Sequence, residues 1–102
     1  MDRKEFIKNE INQDPHDPFN YYLLAIEYQK EGDIKNALNE FEHLILEFPS
    51  YIATYYTYST TLLGLDKESE AEIIIKKGIE EAEKKGAAKA LKELKQLLEL
   101  NF

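Results

Sequence analysis

Glu40 and His43 form a Glu-x-x-His pair, the spacing that sets a carboxylate and an imidazole on one helical face in di-iron bundles. Such a site needs the motif twice, with further carboxylates. The only other histidine, His16, lies in the link Asp14-Pro15-His16-Asp17-Pro18, so the pair reads as a solvated polar face rather than as metal ligands. The chain has no cysteine, which removes disulfides, thiolate metal sites and a cysteine nucleophile. Ser50, Ser59 and Ser69 have no histidine near them in sequence, and only the fold could bring a base to one of them. Gly32, Gly64, Gly78 and Gly86 stand apart, without the spacing of a phosphate-binding loop. The residues call for no metal, no cofactor and no catalytic set.

Bulk composition narrows the classes further. A chain of 102 residues has room for one domain with a core. Apolar residues make up 43% and charged residues 32%, a balance that belongs to folded rather than disordered chains. The formal charge of −7 repels phosphate backbones, which argues against nucleic acid and anionic membranes as partners. Residues 84–102 oppose that trend: five lysines against two glutamates give +3 there and leave −10 elsewhere. This basic end reads as a solvated helix face, with an acidic contact as the lesser option. No apolar run has the length of a signal peptide or of a membrane span, so a cytoplasmic protein is expected.

The elements that must carry any surface are helices. Residues 2–13 form a short one, with Phe6, Ile7 and Ile11 to one side. The prolines at 15 and 18 stop it, and a helix this short must pack on the next part of the chain. A second helix starts at Pro18 with Asp17 as N-cap and the stripe Tyr21, Leu24, Ala25, Tyr28. Gly32 supplies a left-handed turn and Asp33 caps the third helix, Ile34 to about Glu47. Its inner face is Ala37, Leu38, Phe41, Leu44, Ile45 and Phe48. The fourth helix spans 51–65 with Tyr55, Tyr58, Ser59 and Leu62 inward, and Asp66 stands where Gly32 stood. The fifth runs from Lys67 towards Lys85 on Ala71, Ile74, Ile75, Gly78, Ile79 and Ala82, and Gly86 caps it. The last, 87–100, sets Ala87, Ala90, Leu91, Leu94, Leu97 and Leu98 opposite its lysines. The expected class is all-α.

A shift of 34 residues aligns Pro15 with Pro49, Tyr21 with Tyr55, Tyr22 with Tyr56, Ala37 with Ala71 and Ile45 with Ile79. One helix pair cannot bury its apolar face alone, and stacked pairs share a continuous core. The pattern resembles the tetratricopeptide repeat. That family places an aromatic, a leucine, a small residue and an aromatic along its first helix, and Gly-Asp at the turn. Its second helix carries alanine, an aromatic, a small residue and a closing proline. Residues 18–51 supply Tyr21, Leu24, Ala25, Tyr28, Gly32-Asp33, Ala37, Phe41 and Pro49, with Leu44 where the small residue belongs. Residues 52–85 supply Tyr55, Tyr58, Ser59, Leu62, Ala71, Ile75 and Gly78, but have Asp66 at the turn glycine and Glu83 at the closing proline. Residues 1–15 match the second helix of a preceding half-repeat, and 87–100 a capping helix in its own register, since Lys89 and Lys92 fall on apolar positions.

The resemblance implies one domain over 1–102, a short right-handed superhelix of about six helices. It also implies that partners lie in a concave groove lined by the first helix of each repeat. The groove positions are Phe19, Tyr22, Leu23, Ile26, Gln29 and Lys30, then Ala53, Tyr56, Thr57, Thr60, Leu63 and Gly64. Their apolar and aromatic members are not needed by the inner stripe, although neighbouring helices could cover some of them. The lysine and asparagine clamp by which some family members hold a terminal carboxylate is absent, since Tyr22, Ile26 and Thr57 stand at its positions. The expected function is a non-enzymatic module for a protein or peptide partner. The alternative is a self-associating structural protein, a homodimer.

Overall fold

The structure, a computed structural model, describes residues 2–102. Among them are six helices and no strand: α1 Arg3–Gln13, α2 Pro18–Lys30, α3 Ile34–Glu47, α4 Ala53–Gly64, α5 Glu68–Lys85 and α6 Ala88–Asn101. The chain is therefore all-α. It divides into two compact units, the first running to Phe48 and the second starting at Pro49.

In the first unit α2 pairs with α3, and α1 packs on α2. Asp17 accepts from the Phe19 N–H at 3.0 Å and Pro18 opens α2, so the helix starts where its cap requires. Gly32 takes φ 77°, and the Asp33 N–H reaches back to the Tyr28 carbonyl at 2.9 Å. Asp33 then caps α3, accepting from the Asn36 N–H at 3.3 Å and from its side-chain amide at 2.8 Å. Those bonds hold the Asp33 carboxyl below its ordinary pKa. Leu24, Ala25, Ala37, Phe41 and Leu44 are buried between the two helices. Each large side chain among them contributes roughly 1.5–3 kcal/mol of transfer free energy.

One side chain of α1, Ile7, is fully buried, at 2% exposure. Around it, Arg3 Nε meets Glu27 Oε1 at 2.6 Å and Lys4 Nζ meets Glu31 Oε1 at 3.0 Å. Lys4 also lies 5.2 Å from the centre of the Tyr28 ring. The sequence places Phe6 on the same inner side, but it is 56% exposed. Consecutive residues are about 100° apart around a helix, and burial centred on Ile7 and Ile11 leaves Phe6 at the edge.

The second unit pairs α4 with α5 and lays α6 against both. Its turn reproduces the first with a different residue. Asp66 takes φ 60°, and the Lys67 N–H bonds the Leu62 carbonyl at 2.9 Å, the 34-residue equivalent of the Asp33–Tyr28 bond. Aspartate tolerates this left-handed region better than most residues. α4 starts at Ala53, two residues later than its expected start, and no side chain caps it. Ile52 and Thr54 are both buried, which the stripe does not indicate. α5 runs on to Lys85 because nothing stops it before Gly86, whose φ is 72°.

Tyr55 and Gly78 form the tightest junction. A Cβ on Gly78 would lie 2.5 Å from Tyr55 Cβ and 3.0 Å from Leu94 Cδ1, so only glycine lets the ring and α6 rest on the α5 backbone. Tyr55 donates its hydroxyl proton to the Pro49 carbonyl at 2.6 Å, and Tyr21 does the same to Pro15 at 2.9 Å. Burial pushes the Tyr55 pKa up to about 12. The packing separates two glycines of identical chemistry. Gly78→Ala should lower stability by about 1–3 kcal/mol through overpacking. Gly64→Ala, at a helical position with open space around it, should hold or raise it by up to ~1 kcal/mol. Urea unfolding of the two variants tests this, and equal effects would contradict the junction.

Candidate functional site

The surface named by the sequence begins on α2. Asp17 caps this helix, and Leu24 and Ala25 are its buried residues. Phe19 is 50% exposed, and Tyr22, Leu23, Ile26 and Gln29 are half-buried. Lys30 is exposed and lies 3.5 Å from Glu27. These six residues therefore share one helix and offer an aromatic and aliphatic strip ending in a charge.

On α4, Tyr56 is 42% exposed, while Thr57, Thr60 and Leu63 are half-buried and Ala53 and Gly64 are exposed. Thr60 Oγ1 donates to the Thr57 carbonyl at 3.0 Å, and Thr61 Oγ1 donates to the same carbonyl at 2.8 Å. These two hydroxyl protons are engaged by their own helix, which reduces what Thr60 can donate to a ligand. Leu63 borders a shallow depression with Glu68, Ser69, Glu72, Asn101 and Phe102. The strip on α4 is thus more polar than that on α2.

Large exposed apolar side chains are not confined to these helices. Leu46 on α3 is 73% exposed, and Phe6, Ile73, Leu100 and Phe102 are exposed as well. Helical period leaves Leu46, Ile73 and Leu100 outside the inner stripes but gives no reason to single them out, and it sets Phe6 on the inner side. What distinguishes the α2 strip is continuity: Phe19, Tyr22, Leu23 and Ile26 follow one another around two turns.

Two of the groups that could do chemistry, His43 and Ser59, make structural contacts. His43 packs edge-on to Tyr21, ring centres 4.8 Å apart, and lies 6.3 Å from Phe48. Ser59 Oγ donates to the Tyr55 carbonyl at 2.6 Å. Among the described residues, no three His, Asp or Glu side chains gather as metal ligands would. Glu40 keeps one carboxylate oxygen buried without a hydrogen-bond partner, as does the Thr54 hydroxyl. Burial raises the Glu40 pKa above its ordinary 4.5, and the charges of His43 and Lys8 only partly oppose this. A raised folded-state value means stability present at low pH and lost as pH rises through that value. Glu40→Gln, which cannot ionise, should therefore melt higher than the parent at about pH 7 and match it near pH 4. An equal difference at both pH values, read by thermal melts, would contradict the buried charge.

No protein-family model matches the chain, and no curated protein matches it. Solved structures do. A tetratricopeptide repeat domain protein from Salinibacter ruber, solved by solution NMR, is 38% identical with a TM-score of 0.79, over 83% of this chain and 86% of that one. A crystal structure of a tetratricopeptide repeat domain protein from the same organism is 36% identical with a TM-score of 0.74, over 80% of this chain and 91% of that one. The paired helices, the repeated left-handed turn and this likeness agree, and the chain belongs to the tetratricopeptide repeat family.

Proposed function

We propose that the chain is a non-enzymatic interaction module that takes a protein or peptide partner on the outward faces of its first-type helices. α2 supplies Phe19, Tyr22, Leu23, Ile26, Gln29 and Lys30, and α4 supplies Tyr56, Thr57, Thr60 and Leu63. The observation that carries this reading is the continuous strip on α2, where a half-exposed phenylalanine and three partly covered apolar neighbours remain outside the α2–α3 core. Aromatic and aliphatic side chains on a preformed helix gain affinity by burying area with little ordering cost. Family membership supports a protein or peptide as the ligand class. No helix among the described residues is long and apolar enough to cross a membrane.

Removing both tyrosine rings tests the surface while leaving Leu24, Ala25, Tyr55 and Leu62 in place. The variant Tyr22→Ala with Tyr56→Ala should keep the helical circular dichroism of the parent. In affinity capture it should lose the proteins that the parent retains. A double variant that folds and still captures the same proteins would rule out these faces as the binding surface.

A further inference from the structure

We infer that the α2 strip takes a peptide in which apolar residues are followed by a carboxylate, and that α1 keeps Lys30 available to that carboxylate by occupying Glu27. The inference rests on the reading of the strip as a binding surface and adds the chemistry of what binds there. Phe19, Leu23, Ile26 and Lys30 are spaced four, three and four apart, which sets them along one side of the helix. The first three offer area. Lys30 carries the one formal charge on the strip. A partner that covers the whole side therefore gains by bringing an acceptor to the ammonium, and a carboxylate gains most.

An ammonium among acidic neighbours is ordinarily spent on them. Glu27 and Glu31 flank Lys30 on the chain, yet each is taken by a cation of α1. Arg3 Nε donates to Glu27 Oε1 at 2.6 Å, and Lys4 Nζ donates to Glu31 Oε1 at 3.0 Å. Lys30 Nζ lies 3.5 Å from the same Glu27 oxygen. One oxygen thus serves two cations, and the closer of them is Arg3. Asp33, the next carboxylate along the chain, is engaged by the N–H and the side-chain amide of Asn36. The Glu27 side chain is 13% exposed and that of Lys30 64%, so the shared carboxylate is sheltered while the ammonium faces water. Three cations against two carboxylates leave one positive charge at this end of the strip.

The rise of the helix places Lys30 about 6 Å beyond Ile26. The carboxylate therefore follows the residue seated on Ile26 by about two positions in an extended peptide, or by about four in a helical one. Without Arg3, the Glu27 carboxylate turns to Lys30, and a partner's carboxylate must compete with it. Arg3 acts here as a positioning residue for a charge on the neighbouring helix.

Selection on the full chain from a displayed library of random peptides of about 12 residues, long enough to follow α2 in either form, tests this. Peptides kept by the parent and lost by the Tyr22→Ala, Tyr56→Ala variant should carry Asp or Glu at that distance from an apolar residue. For one such peptide, exchanging the acid for its amide should weaken binding about two- to fivefold at about 50 mM salt. Lys30→Ala should erase the difference between the acid and amide peptides. Arg3→Ala should reduce it, and adding Glu27→Gln to Arg3→Ala should restore it, which loosening of α1 alone would not do. Peptides lost by the double tyrosine variant but without an acidic preference would overturn the inference and leave the surface standing. So would a difference untouched by Lys30→Ala or Arg3→Ala, or one that Glu27→Gln does not restore. Peptides that the double tyrosine variant retains, or a selection that enriches none, would overturn the surface reading and the inference with it.

Discussion

The approach of Tyr55 to the backbone of α5 is the contact around which the second unit is built. The ring sits where any side chain on residue 78 would collide with it, and its hydroxyl leaves the core only to bond the Pro49 carbonyl. One tyrosine therefore sets the spacing of α4 and α5 and ties both to the chain that enters them. α6 rests on the same glycine through Leu94, so three helices depend on a missing methyl group. The first unit solves the equivalent problem differently. Leu44 occupies the glycine position and is wholly buried, while Tyr21 is half-buried and its ring lies on His43 and Phe48. The proline bond survives that exchange.

These two solutions explain what can be read from residue types. Caps and turns were legible because each rests on one residue's own backbone or side-chain preference: Asp17 before Pro18, Asp33 after Gly32, Gly86 beyond α5. The inner stripes were legible because burial follows helical period. Phe6 and Thr54 were not, because their burial depends on which neighbour lies beside the helix, and period alone does not carry that. The tyrosine hydroxyl bonds were not drawn from the sequence either, although a proline six residues before each of Tyr21 and Tyr55 was a repeated pairing in plain view. The candidate strip on α2 was visible as residues left over from the stripe. Its distinction from Leu46 or Phe6 came only with the exposure of each.

Chemistry at the site is limited by the same economy. His43 and Ser59, the residues that looked reactive in the sequence, are absorbed into ring packing and into a backbone bond. Glu40 and Thr54 keep buried oxygens without partners, which costs stability. What remains outward on the first helix of each pair is area: an apolar strip on α2 and a more polar one on α4. The proposed binding function rests on those outward faces and on the order of side chains along each helix.

The turn at Asp66 bears on how such a fold is recognised at all. Glycine at 32 and aspartate at 66 reach the same left-handed conformation, closed by the same backbone bond to the residue five before the next helix's cap. A description written in residue types breaks at this position, and again at Leu44 and Glu83. The backbone bond that closes the turn does not. Two residue types thus close one turn, and the entry into each second helix rests on a shared backbone bond rather than on glycine itself.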